Sequence, residues 1–218
     1  MIREVNLYDV MYLVAAGRWT LALTAIAFAG GTILGLAIMM LRVAPFRPAN
    51  WLAVGWIQAI QGTPLLAQIF VFFFGFAIFG YRVSPWVAAG FAFSIYASAF
   101  LAEIWRGCVE AVAKTQWEAS AALGLSFPQQ LRYVILPQAF RISIPPTVGF
   151  LVQLVKNTSL ASVIGFVELT REAQITTGAT FRPFTVYGIV AVLYFCICFP
   201  LSQWSQYLER RLNVARSN

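Results

Sequence analysis

Long apolar runs alternate with short polar or basic interruptions along this chain. The runs at about 18–41, 52–79, 86–105, 140–160 and 184–207 predict five transmembrane helices, since a bilayer crossing takes ~20 mostly apolar residues. Residues 1–17 read as a mixed lead, amphipathic in part and without the apolar core of a cleavable signal. In the first run Gly31 and Gly35 form a small-xxx-small pair that lets another helix approach closely. Pro64 lies within the second run, next to Gln58, Gln61, Gly62 and Thr63. A proline at that depth frees a backbone carbonyl and bends the helix. Ser94 and Ser98 are one turn apart in the third run. Pro145 and Pro146 enter the fourth, which Lys156, Asn157, Thr158 and Ser159 interrupt near its end. Residues 161–183 form a longer connection expected to hold a short helix.

Composition agrees with the pattern. Of 218 residues 60% are hydrophobic and 11% charged, too apolar for an ordinary soluble domain. The reading is one all-α, multi-pass transmembrane domain over 1–218. The net charge of +7 reports orientation in such a protein, not nucleic-acid binding. Five spans place nine basic residues (Arg42, Arg47, Arg106, Lys114, Arg132, Arg141, Arg210, Arg211, Arg216) on one side and five (Arg3, Arg18, Arg82, Arg171, Arg182) on the other. The richer side is expected to be cytoplasmic. The 106–139 segment and the C-terminus then lie inside and the N-terminus outside. Cys108, Cys196 and Cys198 have no metal-ligand spacing and there is no histidine, which removes the commonest general base. No H-E-x-x-H, G-x-S-x-G or G-x-x-x-x-G-K-[ST] occurs, so any ATP hydrolysis belongs to another subunit.

The longest polar interlude, residues 115–137, predicts two short helices joined at a hinge. Thr115 with Glu118 fits a capping box, as does Ser126 with Gln129. Gly124 suits the left-handed stop of the first helix, and Pro137 is expected to end the second near Val134 or Ile135. Ala119, Ser120, Ala121 and Ala122 give the first helix a small face that another surface can approach.

This interlude resembles the EAA signature of the membrane subunits of ATP-binding-cassette importers: Glu-Ala-Ala, three residues, Gly, nine residues, Ile, one residue, Leu-Pro. Here it stands as Glu118-Ala119-Ser120, Gly124, Val134 and Leu136-Pro137, with Ser120 in place of Ala and Val134 in place of Ile. Its surroundings resemble the polar amino-acid branch: QGTPLL at 61–66, LAEIWRG at 101–107, VILPQAFRISIPP at 134–146 and KNTSLASVIG at 156–165. The likeness covers roughly residues 20–211. It implies a type I ABC importer permease fold in a bacterial inner membrane. It also implies docking of an ATPase subunit on the loop, with ATP and Mg held by that partner and no cofactor in this chain. A second permease subunit, identical or paralogous, an external substrate-binding protein, an amino-acid substrate and the surrounding lipid complete the partners. Relatives often carry Arg where Gln61 stands and Asp where Asn157 stands.

Candidate pathway residues are Gln61, Tyr96, Ser98, Gln153, Lys156, Asn157, Thr158 and Ser159. Gln58, Gln61 and Gln68 share a helical face, which either bonds between helices or lines a pore. Lys156 either snorkels to the outer headgroups or faces a polar cavity, where it attracts a substrate carboxylate. Glu103 is placed to pair with Arg106 at i,i+3. An ion-coupled secondary transporter would want mid-membrane carboxylates and paired repeats. A membrane enzyme would want a nucleophile–base pair. The sequence displays neither.

Overall fold

A computed structural model describes the backbone of residues 3–217 and the side chains of residues 3–212. Met1, Ile2, Asn218 and the Arg216 side chain lie outside it. Among the described residues there is no strand. Helix α1 runs Leu7–Val43, so most of the expected lead is continuous with the first span. The reason is local: the Asn6 side chain accepts from the Asp9 N–H at 3.0 Å, and the Asp9 carboxylate accepts from the Asn6 N–H at 2.9 Å. Arg3 holds Asp9 at 2.7 Å. This capping box starts the helix well before the apolar run. It stops at Ala44, extended at ψ 141, as the residue before a proline prefers.

The second expected span is two helices, α2 (Arg47–Gln61) and α3 (Leu65–Ile78), at 94° to one another. Pro64 has no N–H for the Ile60 carbonyl. Gln68 supplies the missing donor: its Nε2 reaches the Ile60 oxygen at 2.8 Å, the Thr63 carbonyl at 3.2 Å and the Thr63 hydroxyl at 2.9 Å. The bend expected at Pro64 is therefore a full break, latched by a glutamine that the sequence pattern grouped on one helical face with Gln58 and Gln61.

Helix α4 (Pro85–Glu110) lies against α1. An ideal Cβ on Gly30 would meet Ser94, one on Gly31 Ala97, and one on Gly35 Ser98 and Leu101. Both series ascend, so α1 and α4 are parallel and the broken pair must carry the chain back across between them. Beyond the loop, α7 (Leu136–Asn157) is antiparallel to α4, with the Trp105 indole donating to Thr147 at 2.9 Å and Asn157 reaching Tyr96. Helix α9 (Pro183–Ser217) returns beside α7, with the Ser205 hydroxyl donating to the Pro145 carbonyl at 2.8 Å. With the bent α2–α3 pair counted as one span, there are up to five crossings. Four unbroken helical stretches, Leu7–Val43, Pro85–Glu110, Phe127–Ile164 and Pro183–Leu212, are each long and apolar enough to span. The main core, centred on Leu23, Ile69, Phe93, Ala97, Leu101 and Leu154, sits where α1, α3, α4 and α7 meet.

Two shorter elements complete the chain. A 3-10 turn (Thr158–Ile164) ends at Gly165 in the left-handed region (φ 82). It leads to α8 (Leu169–Thr180), the short helix expected in the connection. The buried Glu168 caps α8, accepting from the Thr170 and Arg171 N–H groups and from Tyr194 of α9. Thr20 of α1 accepts from the Leu169 N–H.

Candidate functional site

Between α4 and α7 the chain leaves the bundle as a two-helix loop. Helix α5 spans Lys114–Ala122 and is preceded by Ala113, which offers no side-chain cap. The Thr115 capping box expected from the sequence is thus absent. Thr115 already lies within the first turn, where its hydroxyl cannot cap, and Glu118 instead pairs with Lys114 at 3.6 Å. The stop is as expected. Gly124 has φ 76, its N–H reaches Ala121 O at 2.9 Å and the Leu125 N–H reaches Ser120 O at 3.2 Å, a Schellman arrangement. Helix α6 (Phe127–Gln130) begins at Ser126, with the Gln129 side chain reaching back to the Ser126 N–H at 2.9 Å.

Pro137 does not end the second helix. A π turn over Leu131–Ile135 joins α6 to α7 without interruption, and Pro137 falls in the first turn of α7. The widened turn shifts the bonding to i→i−5, as in Leu136 N–H to Leu131 O. Helix continues past a ring that denies the Tyr133 carbonyl its usual donor. Helix α6 and the span are therefore one continuous helical stretch, Phe127–Ile164.

Interactions invisible in the pattern brace the loop. Trp117 stacks on Phe127 at 6.1 Å, Gln130 donates to Leu125 O at 2.7 Å and Gln138 to Gln116 at 3.3 Å. Ser120 is 2% exposed and bonds to Trp117 O. At so buried a position a small side chain fits where a larger one would have to displace its neighbours. The other side of α5 is open: Glu118, Ala119, Ala121 and Ala122 are exposed, and Leu123 projects at 80%. Leu136 is half-buried and Pro137 exposed where the loop rejoins the span.

A second set of polar groups lies along one side of α4 and α7, with Tyr96 and Asn157 half-buried and Gln61 and Gln153 exposed. Gln153 donates to Asn157 at 3.0 Å, Asn157 to the Tyr96 hydroxyl at 3.3 Å, and Gln61, at the α2–α3 break, to the Ala99 carbonyl at 3.5 Å. Tyr96 and Ala99 share a face of α4, so these four side chains form one strip. Tyr96 stacks beside Phe100 and Phe150. It lies ten residues along α4 from Trp86, ~15 Å at 1.5 Å per residue, so the strip is deep. Lys156 flanks it, exposed and in no ion pair among the described residues. Three candidates point elsewhere. Ser98 is fully buried between the Trp56 indole and Ile95 O, and Thr158 is fully buried on Val155 O. The Ser159 hydroxyl is spent on Lys156 O. Glu103 pairs with Arg106 as its spacing predicts.

Four to five apolar spans with one broken helix, an exposed loop that runs into a span and a polar strip define a multi-pass helical membrane protein of permease architecture. A solved structure described as an amino acid ABC transporter with histidines has the same fold, with a TM-score of 0.89, 33% identity, and coverage of 96% of this chain and 100% of that one. The L-cystine transport system permease protein TcyB of Bacillus subtilis is 40% identical over 196 residues, 89% of this chain and 84% of that protein. The probable glutamine ABC transporter permease protein GlnM of the same organism is 38% identical over 193 residues, 88% and 89% of the two chains. The chain belongs to the family of binding-protein-dependent transport system inner membrane components, whose family model matches residues 31–214. It is thus a transporter membrane subunit of the inner membrane and not an enzyme.

Proposed function

We propose that this chain carries polar amino acids, or close analogues, through the membrane as one subunit of an ATP-driven importer, and that the loop couples it to the ATPase. The observation that carries the coupling role is the two-sided α5: on one side Ser120 is buried and Trp117 stacks on Phe127 of α6, while Glu118, Ala119, Ala122 and Leu123 are exposed on the other. The π turn makes α6 continuous with α7, and α5 is braced on α6 by the Trp117–Phe127 stack and on α7 by Gln116–Gln138, so a push on α5 is passed to a span. Glu118, Ala119, Ser120, Gly124, Leu136 and Pro137 form the coupling element. ATP and Mg stay in the partner ATPase. A second permease subunit and an external binding protein complete the machine. The basic-residue bias puts the loop and C-terminus in the cytoplasm and the N-terminus outside.

The substrate route runs along Gln61, Tyr96, Gln153 and Asn157, with Lys156 beside it. What supports this is their convergence at depth, where a polar group must face protein, water or solute and not lipid. The relatives named for glutamine and cystine place the substrate class among polar amino acids. The test is uptake of labelled glutamine, cystine and arginine by proteoliposomes holding the whole complex, with ATPase activity measured in parallel. Lys156→Ala and Asn157→Leu should cut uptake at least tenfold while the complex assembles and hydrolyses ATP. Glu118→Lys should leave insertion intact and weaken ATPase co-purification. Wild-type transport by all three variants would overturn both assignments.

A further inference from the structure

The transport reading leaves one long apolar groove unused. It has a volume of about 490 Å³ and lies between α1, α4 and α7, from Phe28 and Val148 at one end to Met40 and Leu136 at the other. Its lining is almost wholly apolar. Of the polar residues along it, the Trp105 indole donates to Thr147 and the Ser143 hydroxyl to Phe140 O, while the buried Thr32 hydroxyl has no partner among the described residues. A zwitterion finds no charged side chain there, so this is not part of the polar strip. The groove follows α1 from Phe28 to Met40 and α7 from Leu136 to Val148, a length of ~18 Å along the helix axes. One leaflet of a bilayer is ~15 Å deep in hydrocarbon. At the loop end, one turn beyond Leu136 on the same face of the helix, stands Arg132. It is exposed and in no ion pair among the described residues, and its guanidinium lies 5.6 Å from the Tyr133 ring. Leu36, Met40 and Phe140 are exposed at the mouth.

We infer that the groove holds one acyl chain of an anionic glycerophospholipid from the loop-side leaflet, with its phosphate at Arg132. Three observations converge on that occupant: a dry lining, a length that matches one leaflet, and a free cation with an interfacial tyrosine at the end where the headgroup falls. The inference does not depend on which amino acid is carried, nor on which side of the membrane the loop lies.

Trp105 lines the groove and serves as the reporter. The full chain is reconstituted in bilayers of phosphatidylglycerol or of phosphatidylcholine, each with dibrominated acyl chains, which quench tryptophan at short range. The Trp105 signal is taken as the difference between wild type and Trp105→Phe. It should be quenched at least threefold more strongly by the phosphatidylglycerol. Arg132→Gln should bring the two lipids to equality. Ala139→Phe, which fills the groove, should protect Trp105 from both. Equal quenching of the wild-type signal by the two lipids overturns the headgroup assignment. A Trp105 signal untouched by either lipid overturns the whole inference, because a second protein chain then covers the groove. If Ala139→Phe does not fold, the Arg132→Gln comparison still decides, since that side chain is exposed and packs against no core residue. Uptake in unbrominated bilayers separates the two readings: uptake with no quenching of Trp105 removes the lipid and leaves the transporter.

Discussion

Gly31→Ala should open the contact on which the bundle closes. An ideal Cβ on Gly31 would stand 2.4 Å from the Ala97 Cβ and 3.2 Å from the Ala97 carbonyl carbon. Carbon atoms rest at ~3.5–4.0 Å, so α1 and α4 must part locally by more than ~1 Å. Neither neighbour can yield, because an alanine Cβ has no rotamer and the carbonyl carbon is backbone. Overpacking of this kind costs about 1–3 kcal/mol. The rigid neighbours place this site toward the upper end, at about 2–3 kcal/mol. Gly55→Ala is the control. Nothing lies within 4 Å of a Cβ there, and replacing a helical glycine by alanine gains roughly 0.5–1 kcal/mol. For a chain of this size each kcal/mol shifts Tm by about 2–4 °C. Thermal unfolding in detergent should therefore put Gly31→Ala at least ~4 °C below wild type and Gly55→Ala level with it or above. Adding Ala97→Gly to Gly31→Ala should restore most of the loss, less the roughly 1 kcal/mol that a glycine costs inside a helix. A Gly31→Ala protein as stable as Gly55→Ala would refute the close crossing, and with it the parallel arrangement of α1 and α4.

Gly124→Val should destabilise the loop by about 1–2 kcal/mol, purely through the left-handed backbone, because no atom lies within 4 Å of a Cβ at that position; limited proteolysis should show faster cleavage near the hinge, with Gly124→Asn milder. Gln68→Leu should strand the Ile60 and Thr63 carbonyls and cost about 1–3 kcal/mol, whereas Gln58→Leu, on an exposed residue, should cost little; equal Tm values for the two would show that Gln68 is no latch. Trp117→Ala should loosen α5 from α6 and cut coupled ATP turnover more than it cuts insertion, as read by stimulated ATPase activity of the assembled complex. A double-cysteine crosslink between positions 145 and 205 should form readily, since Ser205 already reaches the Pro145 carbonyl; failure to form would contradict the pairing of α7 with α9.

The sequence by itself determined the number and order of the apolar runs, a bend at Pro64, the Gly124 stop and the Ser126 cap. Each follows from the chemistry of one residue or a short run: a missing N–H, a missing Cβ, a hydroxyl before a turn. It also carried the family, because the signature residues hold fixed spacings. Tertiary structure alone decided what each polar residue does with its hydrogen bonds. Gln61 and Gln68 share a helical face in the sequence, yet one joins the deep strip and the other latches the break. The difference depends on Ile60 and Thr63, which come within reach only after the helix has folded back by 94°. Ser98 and Tyr96, two residues apart, likewise face Trp56 and Asn157 on different neighbouring helices. Pro137 reads as a stop until a π turn rehouses its ring, and Thr115 reads as a cap until the helix starts just ahead of it. Local chemistry proposes ends and bends. Which of them survive is set by the packing of segments distant in sequence, where each buried donor and acceptor must find a partner.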